Sequence, residues 1–241
     1  MLINLSKRSN QPELMDSFDE PIASLELVFQ DINSVNSLLG GNNITIHAIQ
    51  QLMDGDKKEH YTIVDMGCGD GNMLKEVALY FRKRNVKASF IGIDLNKTAL
   101  KIARKNAKEF PEISFLYQDI LTVQENELEC DILINTLTMH HFTDDQVLIF
   151  LKKFTKLAQI GVVINDLQRS SWAYYLFHLF SAIFIKTRIA KIDGLISIRR
   201  AFIKKELESY AKNLPNVSHD IQWKWAFRYL WVMKPIKKVK I

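Results

Sequence analysis

The chain has 241 residues, of which 47% are hydrophobic and 24% are charged, as in an ordinary folded protein. Its nine glycines and five prolines exclude a low-complexity or fibrous chain. Its two cysteines, far apart in the sequence, exclude a disulfide framework and a paired-cysteine zinc site. The net charge of +5 permits contact with nucleic acid or anionic lipid but requires neither.

The first helical signals precede any strong strand signal. Helices are predicted over residues 22–39 and 44–53, and the Gly-Gly-Asn-Asn sequence at 40–43 is predicted as a turn between them. Residues 1–10 lack the apolar run of a secretory signal, which predicts a cytoplasmic protein.

From residue 61 onward, short apolar runs alternate with helical patterns. This alternation predicts a parallel sheet with helices on both faces. In chain order the predicted elements are strand 61–66, helix 73–84, strand 88–93, helix 97–110, strand 113–117, strand 130–136, helix 143–158 and strand 161–166. Thr143 and Gln146 fit a capping box at the start of the last of these helices.

The alternation stops after residue 166. An aromatic-rich helix is predicted over 170–187, a second helical stretch near 199–212, and an antiparallel pair of strands over 216–224 and 226–233. The apolar run at 172–185 is too short to span a bilayer and is predicted as a buried or interfacial helix. We therefore predict an N-terminal helical cap over 1–60 and one domain over 61–241, which carries a helical substrate insertion at about 170–212.

A glycine-rich turn follows the first predicted strand. Residues 64–72 read Val-Asp-Met-Gly-Cys-Gly-Asp-Gly-Asn, and glycines there let the backbone turn sharply and approach a ligand closely. The helix N-terminus after the turn can face the carboxylate of an amino-acid-like ligand. A dinucleotide-binding turn would have glycine where Asn72 stands, which disfavours a nicotinamide oxidoreductase.

Two acidic residues follow the next two predicted strands. The carboxylate of Asp94 can accept hydrogen bonds from both hydroxyls of a ribose, and Asp119 is placed to accept from an adenine amino group. Either one alone could be a helix cap or a turn residue. Ligands bind beyond the carboxyl ends of parallel strands, so the glycine turn and both acids together predict one nucleoside-containing ligand.

These motifs resemble those of class I S-adenosylmethionine (SAM)-dependent methyltransferases, and the resemblance covers about residues 61–166. It implies SAM as the cofactor and an α/β fold with a Rossmann-like, seven-stranded, mostly parallel sheet whose seventh strand is antiparallel. The cofactor-binding residues that it implies are Asp65, Gly67, Cys68, Gly69, Gly71, Asp94, Leu95, Asp119, Ile120 and Asn135.

A looser resemblance bears on the substrate. Residues 12–16, 32–41, 165–169 and 173–175 are similar to bacterial methyltransferases related to the ubiquinone-biosynthesis type, some of which accompany polyketide or phenolic-lipid pathways. This resemblance implies small-molecule biosynthesis.

His140 and His141 follow the fourth predicted strand, where the methyl group should lie. Alignment of donor and acceptor supplies much of the rate of methyl transfer, but a hydroxyl acceptor must also lose its proton. A histidine is suited to take that proton, so either residue is a candidate general base, and either could instead pack against the following helix. We predict no metal, because adjacent side chains point apart and no third ligand is spaced nearby.

The aromatic helix at 170–187 is predicted to cover an apolar acceptor, although aromatic residues so spaced are more often plain core. Arg169, Trp172 and Tyr175 are the substrate-binding candidates, and Arg199 and Arg200 could also meet an acidic acceptor. A peripheral contact with a membrane through the same helix is a further prediction.

The sequence thus predicts an enzyme that methylates a small, aromatic or lipidic molecule at oxygen or carbon, with no nucleic-acid partner. An RNA or protein methyltransferase is the alternative favoured by the basic composition. Against it, residues 135–138 lack the Asn/Asp-Pro-Pro-aromatic motif of amino-directed nucleic-acid enzymes, and no RNA-binding module is recognisable. A non-catalytic SAM-binding protein also stays open, because no single residue is obligatory for methyl transfer.

Overall fold

A single seven-stranded sheet organises the protein. The computed structural model describes residues 3–16, 21–124 and 128–236. The strands are β1 Tyr61–Met66, β2 Ala88–Asp94, β3 Ile113–Tyr117, β4 Ile132–Thr136, β5 Gly161–Leu167, β6 Val217–Lys224 and β7 Arg228–Pro235. Their order across the sheet is β3-β2-β1-β4-β5-β7-β6. The first five strands are parallel, and β7 is antiparallel to both of its neighbours, which confirms the predicted fold class.

Helices cover both faces of the sheet. They are α1 Ile22–Leu38, α2 Gly41–Gly55, α3 Asn72–Lys83, α4 Lys97–Asn106, α5 Asp144–Leu157, α6 Ser171–Phe184, α7 Arg188–Arg200 and α8 Lys204–Ala211. Two short 3-10 turns, Leu14–Asp16 and Met139–His141, accompany them. Within the described ranges, no helix is both long and apolar enough to cross a membrane.

Successive side chains of the central strands point to opposite faces of the sheet and pack into two hydrophobic cores. Ile63 of β1 packs with Leu52 of α2 and Phe81 of α3 on one face, whereas Val64 packs with residues of α5 and α8 on the other. Both strand residues are fully buried. Burying each such side chain contributes about 1.5–3 kcal/mol, so the period-two pattern fixes which residues face which core.

The observed helix boundaries match the predicted ones at some positions and differ from them at others. Thr143 and Gln146 form the predicted capping box at the start of α5. The turn predicted over 40–43 is shorter, because only Gly40 adopts a left-handed conformation and α2 begins at Gly41. The helix predicted to end at residue 110 ends at Asn106.

The largest correction concerns residues 188–212. The predicted helical insertion at about 170–212 had helices at 170–187 and near 199–212, whereas the structure has two helices, α7 and α8, after α6, and α7 begins already at Arg188. The chain is extended between them, where the fully buried Phe202 forms a β-bridge with Gln168. This tertiary contact outweighs the local helical pattern and separates the two helices.

Candidate active site

A cavity of about 810 Å³ lies at the carboxyl ends of β1, β2, β4 and β5. Its volume is within the range of about 300–1,000 Å³ found for ligand sites. Besides the strand ends, residues of α1, α6, α7 and the β6–β7 connection line it, and most of these lining residues are apolar. The cavity therefore has the position expected for a ligand site in an open parallel sheet.

The turn after β1 requires glycine for two independent reasons. Gly67 and Gly71 have φ angles of 81° and 75°, which side-chain-bearing residues rarely adopt. A Cβ atom on Gly67 would lie 2.3 Å from Thr138 Cγ2, and one on Gly71 would lie 2.8 Å from Phe115 Cζ. The turn can thus approach both its neighbours and a ligand only without side chains at these positions.

Two carboxylates lie beside this turn, Asp65 buried and Asp94 half-buried. Asp94 Oδ2 accepts a hydrogen bond from the Gly69 N–H at 2.8 Å, and Oδ1 accepts one from the Asn96 N–H at 2.8 Å. Asp65 Oδ1 has no hydrogen-bond partner within the described chain. Burial, together with repulsion from Asp94, raises the pKa of Asp65 to about 8. A buried carboxyl whose ionised form is disfavoured fits a ligand that brings positive charge, as the sulfonium and ammonium groups of SAM do, because that charge would favour ionisation again.

The cavity brings together most, but not all, of the residues predicted to bind the cofactor. Those that line it are Asp65, Gly67, Cys68, Gly69, Asp94, Leu95 and Ile120. Gly71, Asp119 and Asn135 are not lining residues. The Asn135 side chain is buried and donates to the Met66 carbonyl at 2.5 Å, so it ties β4 to the end of β1. Asp119 accepts from the Leu121 N–H at 2.8 Å and adjoins the lining residue Ile120.

His140 is held by an aspartate from the neighbouring strand. Its Nδ1 lies 2.7 Å from Asp166 Oδ1, and its backbone N–H donates to Asp166 Oδ2 at 3.0 Å. The other ring nitrogen, Nε2, lies 3.2 Å from Glu13 Oε1 without making a hydrogen bond. Both His140 and Glu13 are buried and line the cavity. The ring is therefore fixed through Nδ1 by Asp166, while Nε2 faces the carboxylate of Glu13.

His141 has a parallel but more exposed arrangement. Its Nδ1 lies 3.1 Å from Asp16 Oδ2, and its Nε2 lies 3.7 Å from Glu13 Oε2. The backbone of the histidine pair is also held, because the guanidinium groups of Arg8 and Arg200 both donate to the His140 carbonyl at 3.1 Å. The N-terminal segment and α7 thus fix the loop after β4.

The surrounding carboxylates control the charge of His140. Burial by itself lowers the pKa of the imidazole, but the negative charges of Asp166 and Glu13 outweigh it and raise the pKa to about 10. The same contacts hold the pKa values of Asp166 and Glu13 below their usual range. At neutral pH the arrangement is therefore an imidazolium between two carboxylates.

The prediction that the side chains of His140 and His141 point apart, with no third ligand nearby, is wrong. The two adjacent imidazole rings do not point apart, because their centroids are 4.5 Å apart and Glu13 supplies a third group close to both. The three ligand atoms lie within 4.8 Å of one another. Metal binding requires a neutral imidazole, whereas the contacts of His140 favour its protonated form, so these residues fit a network of ion pairs better than a metal site.

The three substrate candidates lie away from the cavity. Arg169 is fully engaged, because its guanidinium pairs with Glu206 at 2.6 and 2.9 Å and donates to the carbonyls of Leu5 and Ala201. Trp172 is 73% exposed, and the Tyr175 hydroxyl accepts from the Ile3 N–H. Helix α6, which carries Trp172 and Tyr175, instead contributes Ala173, Leu176, Phe177 and Phe180 to the cavity wall.

Glu13, Asp166 and Arg228 are site residues that sequence reasoning did not identify. Asp166 lies near the carboxyl end of β5 and could have been found by the rule that identified Asp94 and Asp119. Glu13 and Arg228 reach the cavity from opposite ends of the chain, and although Glu13 falls in the range 12–16 of the looser resemblance, nothing in the sequence singled out either residue.

Comparisons with known proteins agree with this geometry. The family described as "Methyltransferase domain" matches residues 57–226. A malonyl-[acyl-carrier protein] O-methyltransferase from Halalkalibacterium halodurans is 32% identical over 78 residues, which are 31% of this chain and 27% of that protein. A tRNA (guanine-N(7)-)-methyltransferase from Pediococcus pentosaceus is 37% identical over 65 residues, 26% of this chain and 29% of that protein. The matches thus span less than a third of each curated relative.

Solved structures show the same fold at low sequence identity. The plantazolicin methyltransferase BpumL in complex with SAH has a TM-score of 0.70 at 14% identity, with coverage of 92% of this chain and 94% of that one. A magnesium protoporphyrin IX methyltransferase from Synechocystis PCC 6803 with bound SAM has a TM-score of 0.55 at 13% identity, with coverage of 86% and 83%. The likeness extends over nearly the whole chain.

Proposed function

The chain belongs to the SAM-dependent methyltransferase family, and on that premise we propose that it methylates a hydroxyl oxygen of a small aromatic or lipid-like acceptor. The observation that carries this proposal is the His140–Asp166 pair at the cavity wall, with the second ring nitrogen facing only the carboxylate of Glu13. An imidazole oriented through one nitrogen by a carboxylate is the arrangement that general-base catalysis uses.

The cofactor and the base have separate roles. When bound, SAM supplies a methyl group already activated on a sulfonium, and its transfer leaves the neutral thioether SAH. The glycine turn, Asp65 and Asp94 hold the cofactor. His140 Nε2 takes the proton of the acceptor hydroxyl, so that the oxygen lone pair can bond to the methyl carbon. Asp166 stabilises the imidazolium that results.

Glu13 sets when His140 can act. Its carboxylate lies beside Nε2 and raises the pKa of the ring. When an acceptor hydroxyl displaces Glu13 from Nε2, the pKa of the ring falls and the Nε2 proton leaves with the Glu13 carboxylate, so that the neutral ring can then accept the proton of the hydroxyl. A phenol, whose ordinary pKa is about 10, loses its proton far more readily than an aliphatic alcohol, so it is the hydroxyl acceptor that this base can deprotonate most easily.

The walls of the cavity favour an apolar acceptor over RNA. The exposed lining residues Leu95, Leu176 and Trp225 are apolar, whereas an RNA substrate would need lysine and arginine contacts to its phosphates. The malonyl-[acyl-carrier protein] relative is, by name, an O-methyltransferase, which supports transfer to oxygen. RNA methylation and non-catalytic SAM binding are the alternatives that the following experiment separates.

The test uses SAM with a deuterated methyl group and two acceptors of the same skeleton, a 3-alkylphenol and its methyl ether. We expect the label on the phenol oxygen only, with one SAH formed per methyl transferred, because the ether has no hydroxyl proton to lose. Label on ring carbon of either compound would contradict O-methylation. No transfer to any phenol, together with transfer to RNA, would overturn the small-molecule proposal.

We further propose that α6 rests on a membrane surface, which would supply such an acceptor. The helix contains no charged residue, and Trp172, Leu176, Leu179 and Ile183 recur at helical spacing on its exposed side. Lys186 and Arg188, both exposed, follow its last turn. Apolar and aromatic side chains flanked by basic residues fit the interface of an anionic bilayer. Ala173, Phe177 and Phe180 of α6 line the cavity together with Leu176, which lies at the border of the exposed side, so the acceptor site adjoins that surface.

Sedimentation with phosphatidylglycerol-containing vesicles tests this contact. The double variant Trp172→Ser/Ile183→Ser is expected to bind at least about tenfold more weakly than the native protein. It loses two exposed apolar side chains that the bilayer would bury. The matched control Leu79→Ser/Ile149→Ser changes exposed residues of α3 and α5 and should bind normally. Equal loss in both variants, or no vesicle binding by the native protein, would refute the contact.

A further inference from the structure

Arg228 is a buried cation whose charge is only partly compensated. It begins β7 and is 3% exposed, yet it lines the cavity. Its Nη2 donates to Asn36 Oδ1 at 2.6 Å, whereas Nε and Nη1 have no hydrogen-bond partner among the described residues. Buried guanidinium groups are normally paired, because the desolvation of an unpaired charge is costly.

Gly41 and Asn36 form the immediate surroundings of the Arg228 guanidinium. A Cβ atom on Gly41 would lie 3.1 Å from Arg228 Cζ, so the first residue of α2 leaves room that a side chain would fill. Asn36 comes from α1. Burial lowers the pKa of Arg228 to about 10 while Asp166 opposes this shift, so the group still carries its charge at neutral pH.

Arg228 also lies at the same end of the sheet as the proposed base. It pairs with Leu167 across the β5–β7 ladder, and Asp166 is the residue just before Leu167. Both carboxylate oxygens of Asp166 are already bonded to His140. The carboxylate of Asp166, whose charge acts on Arg228, is thus held by His140, and two buried guanidinium nitrogens of this lining residue are left without a partner among the described residues.

We propose that Arg228, with Asn36, forms an anion subsite that binds a carboxylate of the acceptor while the acceptor hydroxyl meets His140. The inference rests on the proposed function, because it assigns the substrate class of the same cavity: a hydroxylated, largely apolar acid. The fork of a planar guanidinium matches a carboxylate, which would accept one hydrogen bond from the second N–H of Nη2 and one from either Nη1 or Nε. The carboxylate of the cofactor itself is the other source of such an anion, and the experiment separates the two.

Binding is measured by calorimetry on the SAH complex, so turnover is not needed. The probes are matched pairs, 2-hydroxybenzoate with 2-hydroxybenzamide and decanoate with decanamide. We expect each carboxylate to bind at least about tenfold more tightly than its amide, because only the carboxylate neutralises Arg228. Equal binding within both pairs, or no binding by any of the four, would overturn the subsite.

Two variants test whether the preference for carboxylates depends on Arg228. Arg228→Met should weaken carboxylate binding by about 30-fold or more and leave SAH affinity unchanged, and Arg228→Lys should recover part of the loss. Arg228→Met should also keep or raise the melting temperature without ligand, because an uncompensated buried charge is replaced by an apolar chain of similar length. Weaker SAH binding in Arg228→Met would assign the guanidinium to the cofactor and refute the proposal.

The outcomes distinguish this subsite from the proposed function. If labelled methyl reaches a neutral phenol as well as its carboxylated analogue, the methyltransferase proposal stands and the subsite fails. If carboxylates bind through Arg228 and no acceptor is methylated, the subsite stands and the proposed reaction fails.

Discussion

His140→Gln is expected to lower the turnover number of methyl transfer by about 100- to 10,000-fold, the range contributed by a positioned general base. Glutamine retains much of the side-chain volume but cannot take a proton. SAH affinity should stay unchanged, because His140 lies beyond the glycine turn and Asp94 that hold the cofactor. His141→Gln is the matched control and should reduce turnover much less, because the ring of His141 contacts Asp16 near the surface rather than the buried Asp166.

The pH dependence adds a signature that a packing role for His140 would not produce. The groups that face His140 are Asp166 from β5, Glu13 and Arg8 from the N-terminal segment, Arg200 from α7 and the adjacent His141. The neutral ring is the active base, so kcat/KM, which reports the free enzyme with Glu13 beside Nε2, should rise with pH through the pKa of His140. Glu13 raises that pKa, so Glu13→Gln should move the rising limb to lower pH.

Three results would contradict the role of His140 as the base. They are unchanged turnover in His140→Gln, an equal loss in His141→Gln, and a rising limb that does not move in Glu13→Gln. Turnover in the presence of EDTA is a further control. It should be unchanged, since the ion-pair network of Glu13 and the two histidines leaves no role for a metal ion.

Asp94→Ala is expected to weaken SAH binding by about 100-fold. A hydrogen bond to a charged group contributes about 1.5–3 kcal/mol, and the variant loses two such bonds to the ribose. It also releases the Gly69 N–H that Asp94 fixes. Calorimetry with SAH measures the loss, and NAD should give no binding signal with the native protein.

Asp119→Ala is the informative comparison for Asp94. Asp119 follows β3 in the corresponding way but does not line the cavity, so its loss should weaken SAH binding less than the loss of Asp94. Equal effects of the two variants would show that the adenine contact is as strong as the ribose contact. Unchanged affinity in Asp94→Ala would refute the ribose assignment.

Local patterns in the sequence were sufficient for the sheet and for the cofactor half of the cavity. Strand β4 could be placed centrally because it is almost wholly apolar, and in the structure it lies between β1 and β5. Asp94 could be placed because the carboxyl ends of parallel strands meet at one edge of the sheet. In each case a short stretch of sequence is enough for the prediction. An almost wholly apolar run indicates a strand buried on both faces, and an acidic residue directly after a strand indicates a position at the ligand-binding edge.

The acceptor half could not be predicted in the same way, because its residues meet only through tertiary packing. Glu13 reaches His140 because the backbone N–H groups of Leu14 and Met15 bond to Asp193 of α7. Helix α7 itself escaped prediction because its buried face includes Asp193, Ser197 and Arg200, which do not form an apolar stripe. Polar residues buried for such contacts look like surface residues in the sequence.

The central claim is that one cavity presents the cofactor to His140. A crystal structure with bound SAH tests it most directly. We predict the ribose hydroxyls on the carboxylate of Asp94 and the amino-acid part of SAH beside the glycine turn and Asp65. The sulfur should then face His140 Nε2, with space for one acceptor oxygen between them. An SAH molecule whose sulfur is separated from His140 by protein side chains, or whose ribose does not touch Asp94, would contradict the claim.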